Sequence, residues 1–470
     1  MSAVTERSIE LPYESLMGLA KPKQHRPRLR KQNASAISVR EQVLADFGAF
    51  QQSGHWNPNP SGKLGDERDR RLYTQLLQGL ARHHRLLEAV VQERLHRGIH
   101  LDPKVAATLA LGVFELLHME RIPAHATLNE LVGGVRQQLG IAPSRLVNGV
   151  LRNLQRDLET DKPVPGEQPL AVRTSHPDWM VERWMQNYGT EQAVRICEAN
   201  NRFAGITICP GLGLNGRALQ QLLAEEGVQA PPHPRVPEAL LVEQSAGLWE
   251  TRAYEEGRFW VQDTSSQVIT HLLAERLEGS VLDVCAAPGG KSLGLVRNGV
   301  RVQAVCDLST RRMRRVRNNF ERCQVPCPPL LVADGTTLPL PTDSVDAVLL
   351  DVPCSATGTI RKNPDIKWTR SATELLKWLP LQSQLLHEAA RVVRPGGVIA
   401  YATCSLELEE NVRQVQSFLE EMPKFVLEPW SISKPLPTAW AGWETREGVW
   451  HMLPDDITMG FYAAFLRCVE

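Results

Sequence analysis

Two kinds of hydrophobic periodicity divide this chain. From about Arg40 to Asp157 apolar residues recur at helical spacing. Leu86, Val90 and Leu95 fall on one stripe, and Leu109, Val113, Leu116 and Leu117 on another, without the alternation a half-buried strand requires. Pro103, Pro123 and Pro143 each stand near a predicted helix start, where the missing N–H would have no partner anyway. The pattern predicts an all-α bundle of six or seven helices over residues 39–160. From Arg258 onward short apolar runs alternate with amphipathic stretches, which predicts a doubly wound parallel sheet over residues 257–470. Between the two lie a Pro-rich linker, 161–175 (DKPVPGEQPLAVRTS), and a small α+β segment, 176–256, with a helical SHPDWMVERWMQNYG and a strand in GITICPG. Residues 1–38 show no periodicity and are expected to form a basic flexible tail.

In an open parallel sheet the C-terminal ends of the strands share one crevice, where ligands bind, so residues at those ends are the first candidates for chemistry. The run Val281–Val284 passes into Cys285, Ala286, Ala287, Pro288, Gly289, Gly290 and Lys291, and then into a predicted helix. Small residues let a ligand approach the backbone, and a helix N-terminus favours an anionic group. The spacing fits neither G-x-G-x-x-G nor a phosphate loop. RVQAVCDLS ends in Asp307, whose carboxylate can take two ribose hydroxyls, and PPLLVADGT ends in Asp334, suited to an exocyclic amine such as that of adenine. Either aspartate alone is also an ordinary turn residue. In this order they point to an adenosine-bearing cofactor with an amino acid at its other end, S-adenosyl-L-methionine. Two further runs close on Cys-Ser. VDAVLLDVPCSATGT carries Cys354 behind Asp351 and Pro353, and GGVIAYATCSLELEENV carries Cys404 behind Thr403. A strand-end cysteine is usually a small buried hydrophobe, but two thiols aimed into one crevice suggest covalent chemistry.

Composition narrows the setting. A chain of 470 residues, 42% hydrophobic, has room for two or three domains. No apolar run reaches the roughly 18–20 residues of a membrane span and the N-terminus has no signal-peptide core, so no membrane partner and a cytoplasmic location are expected. Nine scattered cysteines argue for a reducing compartment, and Cys323 and Cys327 form a lone C-x3-C, so no metal is expected. The formal net charge is zero, yet basic residues cluster. Lys21–Arg40 holds seven basic and no acidic residues, and Ser309–Arg322 six arginines against one glutamate. Arg361, Lys362, Lys367 and Arg370 follow the first Cys-Ser. The tail cluster is equally explained by a solvated segment; the other two are expected to track phosphates of a nucleic acid.

CAAPGGKS, DVPCSATGTIRKNPDIKW and YATCSLELEENV resemble the motifs of the RNA 5-methylcytosine methyltransferases, the Nol1/Nop2/Sun (Fmu) family. The match extends upstream through FWVQDTSSQ and covers most of residues 257–420. LALGVFELLHMERIPAHATLNELVGGVRQQLG with RLVNGVLRNLQRD is similar to the NusB-type helical RNA-binding domain, and this fusion resembles the arrangement of bacterial small-subunit rRNA cytosine-5 methyltransferases. The resemblance implies a Rossmann-like S-adenosylmethionine-dependent methyltransferase domain whose last strand, GFYAAFLRCV, runs antiparallel. It implies an RNA substrate, above all 16S rRNA; the oligomeric state stays open, with a monomer favoured. Cytosine carbon-5 is a poor nucleophile, so its methylation needs a thiolate to add at carbon-6 and later leave. The resemblance gives Cys404 that role and makes Cys354 the residue that assists product release. It has Asp351 hold the pyrimidine edge and count among the cofactor-binding residues, and Cys285 to Lys291 bind the methionine end. Lys291 would reach the base or the cofactor carboxylate.

The chain departs from the family at Ile208, Cys209 and Pro210, where Arg-Val-Asn is usual, and at Met459, where Asp precedes Gly-Phe. Methylation of an exocyclic amine would need Asp/Asn-Pro-Pro-aromatic where this chain has Asp-Val-Pro-Cys. DNA cytosine-5 methyltransferases put the nucleophile in the Pro-Cys motif, and Glu410-Asn411-Val412 is weakly similar to one of their motifs. A tRNA cytosine-5 methyltransferase, or a non-catalytic RNA-binding assembly factor on the same scaffold, are the other readings. The last would erode the nucleophile or the Gly-rich loop, and neither is eroded. The base must leave its stack to be reached, and Trp368 and Phe461 are either its aromatic neighbours or core residues.

Overall fold

The computed structural model describes residues 38–469 apart from 63, 97, 246, 278, 430–439, 441–442 and 444–447. Nearly all of the basic tail therefore lies outside the described residues. The chain divides into two compact units, residues 1–182 with Asn363–Thr369, and Arg183–Lys362 with Arg370–Glu470.

The first unit is built on five helices, α1 (Val39–Ser53), α2 (Glu67–Gln92), α3 (Pro103–His118), α4 (Ala124–Leu139) and α5 (Ile141–Glu159). Local chemistry sets their starts. Ser38 and Glu41 form a reciprocal capping box on α1, Asp66 caps α2, and Asp102 caps α3 with Pro103 in its first turn. Among the described residues of 39–160 there are five helices where six or seven were expected, and α2 runs unbroken for 26 residues through Gly79. A Cβ on Gly79 would sit 2.0 Å from Cζ of Phe114, so the glycine admits a ring and does not end the helix. Phe47, Tyr73, Leu76, Leu80, Leu109 and Leu151 form a shared core. Within it the Glu115 carboxylate accepts from Arg40 Nε at 2.7 Å and Thr127 Oγ1 at 2.6 Å, which offsets the cost of burying its charge.

Asn363–Thr369 belongs to this helical unit. Lys367 is fully buried there and its Nζ donates to the Arg82 carbonyl at 2.9 Å. Trp368 Nε1 donates to the Ala81 carbonyl at 2.6 Å, and its ring meets His84 edge-on at 5.4 Å.

The second unit holds two sheets. A small antiparallel sheet of order β2-β1-β3 joins β1 (Ile206–Pro210), β2 (Leu240–Val242) and β3 (Phe259–Val261). The main sheet has eight strands: β4 (Ser280–Val284), β5 (Arg301–Asp307), β6 (Leu330–Val332), β7 (Val345–Asp351), β8 (Val393–Thr403), β9 (Phe425–Leu427), β10 (Trp450–Met452) and β11 (Phe461–Cys468). Its order is β10-β11-β8-β7-β4-β5-β6, with β9 also on β11. The pairs among β4 to β8 are parallel, and β11 runs antiparallel to β8, as the resemblance implies.

Period-2 alternation buries both faces of this sheet. Val281, Leu349 and Ala400 face one core, and Leu282, Val348, Leu350 and Tyr401 the other. From β4 the chain builds outward to β5 and β6, then returns to add β7 and β8 on the opposite side. The switch point therefore lies between β4 and β7, and a ligand crevice belongs at their C-terminal ends. Among the described residues no helix is long and apolar enough to cross a membrane.

Candidate active site

The loop leaving β4 is shaped by its neighbours on β5. Ala286 N donates to the Cys306 carbonyl at 3.1 Å and Ala287 N to Asp307 Oδ2 at 3.3 Å, which fixes the turn against the next strand. Gly289 adopts φ 93°, where a side chain is disfavoured, and a Cβ there would press to 3.0 Å from Cγ1 of Val316. Helix α6 (Gly290–Arg297) then starts, and Ser292 Oγ on its first turn donates to Asp283 at the end of β4. Asp307 closes the loop from the far side. Its Oδ1 accepts from Ser309 N at 3.0 Å and pairs with Arg312 Nη2 at 2.8 Å. Arg312 lies on helix α7 (Thr310–Arg322). Asp334, two residues beyond β6, is exposed, and its Oδ1 accepts from Thr336 N at 2.9 Å.

Lys291 Nζ lies 2.6 Å from Asp351 Oδ2, so the first turn of α6 and the end of β7 meet across the switch point. Burial opposes the ammonium, but Asp351, then Asp283 and Cys404, more than restore it and raise its pKa. Nζ also lies 5.7 Å from the ring centre of Phe461, which is itself core. Asp283 is fully buried, its Oδ1 has no hydrogen-bond partner among the described residues, and burial pushes its pKa up to about 7.

These features fit S-adenosylmethionine. Asp351 and Asp307 bring carboxylates to the crevice, each paired with a cation, Lys291 or Arg312, so that charged groups of both signs line the place where a ligand with an ammonium, a sulfonium and a carboxylate would bind. Small residues from Ala286 to Gly290 leave the loop open to it, and Asp307 and the exposed Asp334 stand at successive strand ends beyond.

The two cysteines end adjacent parallel strands. Cys354 Sγ lies 3.4 Å from Cys404 Sγ. Cys354 is buried at 3% exposure, whereas Cys404 is half-buried. The contact with Cys404, burial, and the nearby Glu410 all raise the pKa of Cys354 and keep it a thiol. Behind the sulfurs, Ser355 Oγ and Ser405 Oγ lie 3.0 Å apart and both donate to the buried Glu410 carboxylate. Thr403 Oγ1 donates to Asn411 Oδ1 at 2.6 Å, and Asn411 Nδ2 returns a bond to the Ser405 carbonyl at 2.9 Å. Gly358 N donates to the Cys404 carbonyl and Gly460 N to the Gly358 carbonyl, each at 2.9 Å. A Cβ on Gly358 would lie 2.4 Å from the Gly460 carbonyl oxygen, so only glycine lets three chain segments meet there.

Every residue proposed from the sequence for the cofactor loop, the acidic strand ends and the two Cys-Ser turns thus falls on the C-terminal side of the main sheet. Cys285 and Cys306 do not read as reactive: burial raises both thiols, that of Cys306 to about 11. The sequence reading did not weigh Asp283 and gave Glu410 little weight. The basic cluster after the first Cys-Ser is corrected. Arg361 is buried and donates to the Phe203 and Asp455 carbonyls, Lys362 pairs with Asp263, and Arg370 Nε donates to the Ser355 carbonyl at 3.2 Å. With Lys367 buried in the helical unit, each of these four cations is engaged by an internal acceptor. On α7, Arg312 and Arg322 are similarly committed, while Arg311, Arg314 and Arg317 are exposed. Phe461 is a core residue of its unit, and Trp368 is partly buried against the core of the helical unit.

Three family models match: the 16S rRNA methyltransferase RsmB/F over residues 270–467, the NusB family over 42–156, and the RsmF/B-like ferredoxin-like domain over 176–248. The ribosomal RNA small subunit methyltransferase B of Vibrio cholerae is 33% identical over 391 residues, 82% of this chain and 89% of that protein. That of Pseudomonas putida is 34% identical over 365 residues, 76% and 83% of the two chains. Among solved structures, PH0851 matches with a TM-score of 0.70 at 24% identity, covering 93% of this chain and all of that one. NSun6 from Pyrococcus horikoshii with SFG, an S-adenosylmethionine analogue, matches with a TM-score of 0.53 at 20% identity, covering 63% of this chain and 98% of that one. With a switch-point crevice that fits S-adenosylmethionine, a NusB-type helical unit and relatives matched over most of its length, this chain belongs to the RsmB/F family of S-adenosylmethionine-dependent rRNA methyltransferases.

Proposed function

We propose that this protein methylates carbon-5 of a cytosine in 16S rRNA through a covalent adduct between Cys404 and carbon-6. The observation that carries the reading is the 3.4 Å approach of the Cys354 and Cys404 sulfurs at the ends of neighbouring strands, next to the Lys291–Asp351 pair. No exocyclic-amine chemistry needs two thiols. Cys404 is the more accessible of the two and lies in the field of the Lys291 ammonium, which suits a nucleophilic thiolate. Cys354, buried and held as a thiol, suits a helper and not the attacking group.

Bound S-adenosylmethionine supplies an electrophilic methyl group, and Cys285 to Lys291 with Asp307 and Asp334 would hold it. The chain's own residues do the rest. Cys404 Sγ bonds to carbon-6 and breaks the 5,6 double bond, which makes carbon-5 nucleophilic. Asp351 at the end of β7 holds the polar edge of the ring. After methylation, loss of the carbon-5 proton to a base beside the ring restores the double bond and expels Cys404 as thiolate. Cys354, beside the departing sulfur, assists that step.

The test is methyl transfer to a 16S rRNA transcript, mapped by bisulfite sequencing, with wild type, Cys404→Ala and Cys354→Ala. One protected cytosine that Cys404→Ala does not form, and that Cys354→Ala forms more slowly with a Cys404-dependent protein–RNA adduct, supports the reading. Methylation at a base nitrogen, or undiminished transfer by Cys404→Ala, overturns it.

A further inference from the structure

We propose that Glu410 is the positioning residue that locks the two cysteine-bearing turns into one catalytic part. Its side chain is fully buried and therefore acts through its neighbours and not on the base. One oxygen accepts from Ser355 N at 2.8 Å and Gln382 Nε2 at 3.1 Å. The other accepts from both Ser355 Oγ and Ser405 Oγ. An ionised carboxylate offers about four acceptor sites and no donor, so this set uses all of it. Ser355 directly follows Cys354 and Ser405 directly follows Cys404, so a single group spans the two turns at one residue's remove from each sulfur. No cation pairs with Glu410 among the described residues, in contrast to Glu407 and Glu409, which both pair with Arg183.

Two consequences follow from chemistry. Without the carboxylate the two serine side chains would be tied only to each other, at 3.0 Å, whereas charge-assisted bonds are roughly twice as strong. The Glu410 charge behind the sulfurs also opposes a thiolate at Cys354. Backing bonds reinforce the device from the same segment, since Tyr401 Oη donates to the Glu410 carbonyl at 2.7 Å.

The proposal rests on the reading that both cysteines act on one cytosine, and the test separates the two. Full-length Glu410→Ala, Glu410→Gln and Cys404→Ala are compared in single-turnover methyl transfer to a 16S rRNA transcript, with S-adenosylmethionine affinity and pH–rate profiles measured alongside. Glu410→Ala should slow transfer about 100-fold, the cost of a small misplacement of reacting groups, with cofactor affinity unchanged. Glu410→Gln keeps one acceptor and can donate to the serine hydroxyls. It should recover to within about tenfold of wild type, with the alkaline limb of its profile moved to lower pH because the charge opposing Cys354 ionisation is gone. If Glu410→Ala does not fold, the shift of that limb in Glu410→Gln decides the matter, and an unmoved limb overturns the proposal. Wild-type rates in Glu410→Ala, or parallel loss of rate and cofactor affinity in both variants, also overturn it. Should Cys404→Ala turn over normally, it is the underlying reading that fails, whatever Glu410 does.

Discussion

The turns that carry Cys354 and Cys404 begin from almost the same sequence, yet their surroundings differ. Each is an apolar strand end followed by Cys-Ser, and each serine donates to Glu410. Cys354 is nearly sealed and held protonated, while Cys404 stays partly open beside the Lys291 ammonium. A shared Cys-Ser pair therefore does not imply interchangeable roles. On the proposed reading, the exposure of the sulfur and the charges acting on it separate the nucleophile from the helper, and neither is a property of the shared Cys-Ser.

Substitution should reveal the asymmetry. Cys404→Ala is expected to reduce methyl transfer by at least about 10⁴-fold, as loss of a covalent nucleophile does, with S-adenosylmethionine affinity preserved in equilibrium binding. Cys354→Ala should slow turnover by about 10²–10³-fold, the range of a lost acid–base helper, while a Cys404-dependent protein–RNA adduct accumulates on a denaturing gel. Equal losses without an adduct would erase the distinction between the turns.

Gly358→Ala tests whether the turns must be held in register. The added Cβ would fall 2.4 Å from the Gly460 carbonyl, so the Cys354 turn must shift away from Cys404. Overpacking of this kind costs about 1–3 kcal/mol of stability, readable as a lower melting temperature. The displaced sulfur should slow single-turnover transfer by up to about 100-fold.

The smallest effect belongs to the cofactor side of the crevice. Asp283 has a native pKa of about 7 against an ordinary 3.8, so the folded chain keeps a proton there that the unfolded chain releases. Between those values stability falls as pH rises, because the native state binds the extra proton. Asp283→Asn removes that titration, and thermal unfolding followed across this window should show a flatter pH dependence than in wild type. An unchanged slope would mean that Asp283 is ionised throughout.

Strand ends were the legible part of this molecule. Short apolar runs closing on Asp307, Asp351, Cys354 and Cys404 reveal both the parallel sheet and the residues at its C-terminal side, because burial of both faces leaves little room for anything else in those runs. The helical half was readable as a class but not as a count, since apolar spacing shows that residues are helical and not where one long helix ends, as with the 26 residues of α2. Charge was the least legible property. Arg361, Lys362, Lys367 and Arg370 form a basic cluster on paper and internal hydrogen bonds in space, because sequence reports charge and not accessibility. Glu410 was hidden for the same reason, inside an acidic stretch where Glu407 and Glu409 take arginine partners and it alone takes two serines.

The burial of Asn363–Thr369 in the helical unit also bears on how that unit is probed. Deleting residues 39–160 would strip Lys367 and Trp368 of their partners, so a role in RNA binding is better tested by substituting exposed residues of α1 to α5 and following the salt dependence of rRNA affinity.

The account turns on which sulfur bonds to the base. Incubation of the full chain with S-adenosylmethionine and a 16S rRNA transcript containing 5-fluorocytidine blocks loss of the carbon-5 substituent and traps any covalent adduct. Nuclease and protease digestion followed by mass spectrometry then locates the modified nucleotide on a peptide. The account predicts a methylated fluorocytidine on the peptide that contains Cys404, and no such species in Cys404→Ala. The same nucleotide on the peptide that contains Cys354, or no adduct from an active preparation, would contradict it.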